Sequence, residues 1–108
     1  MTYTIDDMLK AGQTTLRGVR WWEKQGLLGE VARSDGNHRR YTPEHIRRAK
    51  IIAACQKCGM QLAEIKHVVS HYDPAVRSNI IARMLKAGEE LDKALASLPA
   101  ADEPELDL

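Results

Sequence analysis

Thr15-Leu16-Arg17-Gly18-Val19-Arg20-Trp21-Trp22-Glu23-Lys24-Gln25-Gly26-Leu27-Leu28 is the stretch whose reading decides the fold. A hydroxyl residue able to cap a helix opens it, and Gly26 stands where helices commonly stop. Arg17 and Arg20 lie three apart, so on a helix they share a face, with Trp21 and Trp22 beside them. Two guanidinium groups next to an aromatic suit a helix resting against a nucleic-acid groove. A plain amphipathic helix has the same outline, so the flanking sequence has to decide.

Upstream, Tyr3-Thr4-Ile5-Asp6-Asp7-Met8 predicts a helix start. Thr4 and Asp7 can form a capping box, and Tyr3 can staple onto Met8. Ile5, Met8 and Leu9 give the apolar stripe of a short helix, which Gly12 closes. Helix, tight turn and second helix make a helix-turn-helix pattern. Downstream, Ser34-Asp35-Gly36-Asn37 is a turn cluster between two short extended pieces, which predicts a β-hairpin, or wing. Alternation puts Arg39 and Tyr41 on one of its faces and His38 and Arg40 on the other. Basic residues at such a place suit phosphate contacts beside a groove.

Thr42-Pro43-Glu44 begins the next helix, with Ile46, Ala49, Ile52 and Ala53 inward and Cys58-Gly59-Met60 closing it. Gln61 to Val69 predicts a short amphipathic helix with Leu62, Ile65 and Val69 inward. Asp73-Pro74 opens a helix expected to run to Leu98. Along it Met84, Leu91 and Leu98 fall seven apart, and Ile80, Ala87 and Ala94 make a second column. A helix of that length spans about 37 Å and outruns the chain left to cover it, so a second copy is the expected partner. Residues 99–108 are acidic and contain proline, which predicts disorder.

The expected fold is therefore mainly α. A winged helix-turn-helix domain with a small hairpin wing covers residues 1–72, a long coiled-coil dimerisation helix covers 73–98, and an acidic tail covers 99–108. The net charge of +1 hides an asymmetry. Residues 1–73 carry 12 Lys/Arg against 8 Asp/Glu, and residues 74–108 carry 4 against 7. A basic front with an acidic rear points to an anionic partner for one end. No apolar run approaches the roughly 20 residues of a membrane span and no signal segment opens the chain, so a cytoplasmic, nucleoid-associated location is expected, with no membrane partner.

Cys55 and Cys58 are expected to be small core residues, and His67 and His71 solvated surface, with no metal and no cofactor. No nucleophile–base set, phosphate loop or acid pair suggests an enzyme.

The order of these features resembles the MerR family of bacterial transcription regulators. The blocks that carry the resemblance are Tyr3-Thr4-Ile5, Leu16 to Leu28, Arg33 to Glu44 and Gly59 to Ile65, over residues 3 to about 72 without a gap. It implies a homodimer joined through an antiparallel coiled coil. Such a dimer would read a pseudo-palindromic site in double-stranded DNA and bend and underwind it, with RNA polymerase as a further candidate partner. Because the chain ends soon after the coiled coil, it resembles a compact member without a C-terminal effector domain.

By position, the resemblance assigns DNA contact to Thr15, Arg17, Arg20, Trp21 and Trp22, and to Arg33, His38, Arg39 and Tyr41 of the wing. The dimer seam falls on Ile80, Met84, Ala87, Leu91, Ala94 and Leu98. Departures are visible too: Gly12 precedes the family's turn glycine by one residue, Gly36-Asn37 inverts the usual wing tip, and Gly18 interrupts the recognition helix, where it could let backbone approach DNA. Trp21-Trp22 replaces paired aromatics that are often tyrosines, and His38 stands where tyrosine is common. A MerR-like protein-binding adaptor or chaperone modulator and an excisionase-like recombination factor are the alternatives; the retained arginines favour DNA.

Overall fold

The structure is a computed structural model that describes residues 2–33, 36 and 38–101. The described elements are α1 (Ile5–Gly12), α2 (Leu16–Lys24), β1 (Ala32–Arg33), β2 (Arg39–Arg40), α3 (Pro43–Lys57), α4 (Leu62–Ser70), α5 (Pro74–Lys86) and α6 (Leu91–Ser97). The chain divides into two compact units, Met1–Ala53 and Ala54–Leu108, so the division falls inside α3. No described helix is long and apolar enough to cross a membrane.

In the first unit local chemistry sets each boundary. Thr4 accepts from the Asp7 N–H at 3.3 Å, and the Asp7 carboxylate accepts from the Thr4 N–H at 2.9 Å, the expected capping box of α1. Thr15 caps α2 by accepting from the Gly18 N–H at 3.2 Å. α2 ends with Gly26 at φ +77°, where Leu27 N–H reaches the Trp22 carbonyl and Gly26 N–H reaches that of Glu23, both at 3.0 Å. β1 and β2 pair antiparallel, Ala32 opposite Arg40 and Arg33 opposite Arg39. A bridge between Tyr3 and Tyr41 extends this pairing to the N-terminal segment, a contact the sequence did not announce. The wing-tip inversion expected at Gly36-Asn37 lies largely outside the described residues.

The α1–α2 turn explains two of the departures. Gln13 takes the left-handed conformation, φ 50° and ψ 47°, at the position where the resemblance leads one to expect glycine. Gly12 serves packing instead: a Cβ there would stand 2.6 Å from the ring of Trp22. Gly18 serves Thr14, whose hydroxyl already occupies the space a Cβ would need. Its lack of a side chain makes room for that hydroxyl beside the start of α2.

The second unit corrects one expectation. The predicted helix from residue 74 to 98 is two helices, α5 and α6, packed on each other. Gly88 at φ +100° breaks it: Glu89 N–H reaches the Met84 carbonyl and Gly88 N–H that of Leu85, both at 3.0 Å, the two bonds of a Schellman turn. The return of α6 is fixed by polar bonds. Tyr72 Oη donates to the Pro99 carbonyl at 2.7 Å, and Arg77 donates to the carbonyls of Pro99 and Leu95, both at 3.1 Å.

Ile80, Met84, Ala94 and Leu98 of the expected seam are consequently buried within the chain, while Ala87 and Leu91 are exposed. Cys55 is buried as expected, and burial pushes its thiol up to about 12, with Cys58 and Glu64 adding to the rise and Arg83 opposing it. Residues 102–108 of the expected tail lie outside the described residues.

Candidate nucleic-acid interface

α2 presents the expected face. Arg17, Arg20 and Trp21 are exposed, and so are Thr15 at its start and Arg33 and His38 on the hairpin. Adjacent residues on a helix point about 100° apart, so the tryptophan pair splits. Trp21 is 44% exposed, and Trp22 is 1% exposed, with its ring against Gly12. Trp22 is therefore a core residue that closes α1 onto α2, a correction to its expected contact role. Tyr41 is likewise fully buried and belongs to the core.

A groove of about 620 Å³ runs between the N-terminal segment, α2 and β2. Thr2, Tyr3, Thr4 and Ile5 line one side, Leu16 and Arg20 another, and His38, Arg39, Arg40 and Tyr41 the third. Of the predicted contact residues it collects Arg20, His38, Arg39 and Tyr41; Thr15, Arg17, Trp21 and Arg33 lie outside it. Arg40 is the residue that the position-by-position assignment missed. It is exposed and lines the groove, and its place in a run of three basic residues was the available signal.

Arg39 is held and not free. Its Nε lies 3.0 Å from both carboxylate oxygens of Glu23, and the N–H is aimed at Oε1, so Oε2 receives charge without a hydrogen bond. Both side chains are largely buried, so this pair fastens β2 to α2 more than it offers a contact. Beside it the Tyr41 hydroxyl has no hydrogen-bond partner among the described residues. Burial raises its pKa above the usual phenol value and the Glu23 carboxylate adds to that, while Arg39, Arg20 and Arg33 oppose. The result is a neutral phenol beside cations, and among the described residues Arg17, Arg20, Arg33 and Arg40 form no ion pair.

Residues 3–72 match the family described as MerR HTH family regulatory protein. The chain is 35% identical over 66 residues to the HTH-type transcriptional regulator ZntR homolog of Haemophilus influenzae, a match spanning 61% of this chain and 49% of that one. It is 27% identical over 96 residues to the transcriptional regulator CueR of Vibrio cholerae, covering 87% of this chain and 69% of that one. The chain thus spans about half the length of the first relative.

In fold it resembles a MerR family regulator from Bacillus cereus (TM-score 0.62, 22% identity, 89% of this chain and 76% of that one). It also resembles HiNmlR, a MerR family regulator lacking the sensor domain that was solved bound to promoter DNA (TM-score 0.54, 24% identity, 89% and 75%). These relatives are regulators and not enzymes. With residues 3–72 of 108 matched, the chain belongs to the MerR HTH family of regulatory proteins.

Proposed function

We propose that this protein is a homodimeric, sequence-specific transcription regulator, with residues 1–72 binding DNA and 73–98 supplying the dimer contact. The observation that carries the reading is the exposed row Arg17, Arg20 and Trp21 on α2, flanked by Arg33, His38 and Arg40 on the hairpin. Guanidinium groups in a major groove can bond guanine edges two bonds at a time, while hairpin cations meet the phosphates alongside. HiNmlR, which shares the fold, was solved on promoter DNA.

The dimer contact in this proposal differs from a long coiled-coil seam. Leu85, Leu91 and Leu95 are 39%, 54% and 43% exposed on the α5–α6 hairpin. Three leucines left outside on one helical hairpin suit a second copy of the same surface. Two copies would present two α2 helices to a pseudo-palindromic site, bend and underwind the DNA between them, and so realign promoter elements for RNA polymerase.

Selection of bound sites from random double-stranded DNA tests the reading. The expected result is an enriched half-site repeated as an inverted pair. A dimer in sedimentation that Leu91→Gln converts to monomer is the companion result. A pool without enrichment would contradict the proposal.

A further inference from the structure

The hairpin that carries Arg33, His38 and Arg40 is anchored at its base by one buried side chain. His45, in the first turn of α3, is 5% exposed. Its Nδ1 accepts from the Thr42 backbone N–H at 2.9 Å. A backbone N–H only donates, so Nδ1 carries no hydrogen. Its Nε2 lies 2.8 Å from the Glu30 carbonyl oxygen, which only accepts, so Nε2 carries the hydrogen. Thr42 Oγ1 accepts in return from the His45 backbone N–H at 3.3 Å. This is a reciprocal cap with an imidazole where a carboxylate or amide usually reaches back. Glu30 precedes β1 and Thr42 follows β2, so one ring ties both outer ends of the hairpin to α3.

Only the neutral ring can make both bonds. A proton added at Nδ1 would set two N–H donors face to face and leave a charge in a buried site. The Thr42 hydroxyl oxygen, 3.2 Å from Nδ1, can take that proton's hydrogen bond at its second lone pair. It brings no countercharge, however, and does not restore the bond from the Thr42 N–H. Tyr41 meets the ring edge-on at 5.8 Å, and Glu30 lends its carbonyl. On α3, Glu44 is paired with Arg47 and Arg48, and Arg48 also donates to the Leu27 carbonyl. Among the described residues no carboxylate forms an ion pair with His45.

The geometry points to His45 as the positioning residue of the hairpin, a latch that holds while the ring is neutral and releases when it is protonated. The latch stands on these contacts alone; its consequence, weaker DNA binding in acid, rests on the DNA-binding reading above. His38 pulls the other way, since it is exposed on the hairpin and a charge gained there strengthens phosphate attraction.

The test therefore uses the full chain in a His38→Gln background, followed from neutral to acid pH. Ring ¹⁵N spectra should show the Nε2–H tautomer at the neutral end, and the Thr42 amide should lose exchange protection in acid. Affinity for a selected DNA site should fall about tenfold over the same range, the scale of one buried hydrogen bond lost. In His45→Asn, whose side chain accepts without titrating, that fall should vanish. An Nδ1–H tautomer at the neutral end, or an undiminished acid loss in His45→Asn, would overturn the latch. If no DNA is bound at any pH, the DNA reading fails, while the ring spectra and the Thr42 amide still decide the latch.

Discussion

Two helical hairpins in this chain are closed by the same pair of backbone bonds and finished in opposite ways. At the α1–α2 turn Thr14 N–H reaches the Leu9 carbonyl at 3.1 Å and Gln13 N–H reaches that of Lys10 at 3.3 Å. At the α5–α6 turn Glu89 and Gly88 do the same to Met84 and Leu85. The first turn is packed shut, with Trp22 against Gly12 and the left-handed position given to Gln13. Around Gly88 there is nothing within 4 Å of where a Cβ would stand, and leucines remain outside. The first hairpin buries Met8, Val19 and Trp22 and leaves Leu16 and Trp21 outside beside Arg17 and Arg20, a mixed cationic and aromatic face that suits a polyanion. The second keeps apolar surface exposed, which suits protein.

The comparison can be broken at four places. The largest effect is expected for Trp22→Ala, which should cost about 3–5 kcal/mol in denaturant unfolding because it empties the closed turn. Gly12→Ala should cost about 1–3 kcal/mol through overpacking, and shortening Trp22 to Leu in the same chain should recover much of it. Gly88→Ala should cost about 1–2 kcal/mol through backbone strain alone, with no partner substitution able to relieve it. The smallest effect is a gain. Gln13→Gly should raise stability by up to about 1 kcal/mol, the relief of a left-handed non-glycine offset by a looser unfolded chain. Equal losses at Gly12 and Gly88 that respond alike to Trp22→Leu would erase the distinction.

What could be read from the sequence was whatever depends on neighbours. The Thr4–Asp7 box, the Thr15 cap, the stop at Gly26 and the start at Thr42-Pro43 each follow from a few adjacent residues, and each stands where expected. The seven-residue spacing of Met84, Leu91 and Leu98 points to one continuous helix, and a single glycine costs a helix only about 1 kcal/mol, so the break at Gly88 does not stand out in the sequence. The spacing was real, but it records burial inside a hairpin as readily as between two chains.

Trp22 was separable from Trp21 in principle, since Val19 lies three residues before it and is buried on the same face. Strand alternation grouped Arg39 with Tyr41 correctly; which face was the inner one depended on Glu23, sixteen residues away in sequence. His45 carried no sequence signal, because the partner of its Nε2 is a backbone carbonyl that folding alone brings near.

The central claim is that the exposed arginines of the first hairpin and its wing read DNA. Titrating salt against affinity for a selected site, in the wild type and Arg20→Ala, tests it most directly. If six to ten phosphates are met, wild-type affinity should fall about 10³–10⁵-fold between 50 and 200 mM salt. Arg20→Ala should lose about 1–3 kcal/mol and relax the sequence preference at its base. Affinity indifferent to salt, or an Arg20→Ala protein that binds the same site equally well, would contradict it.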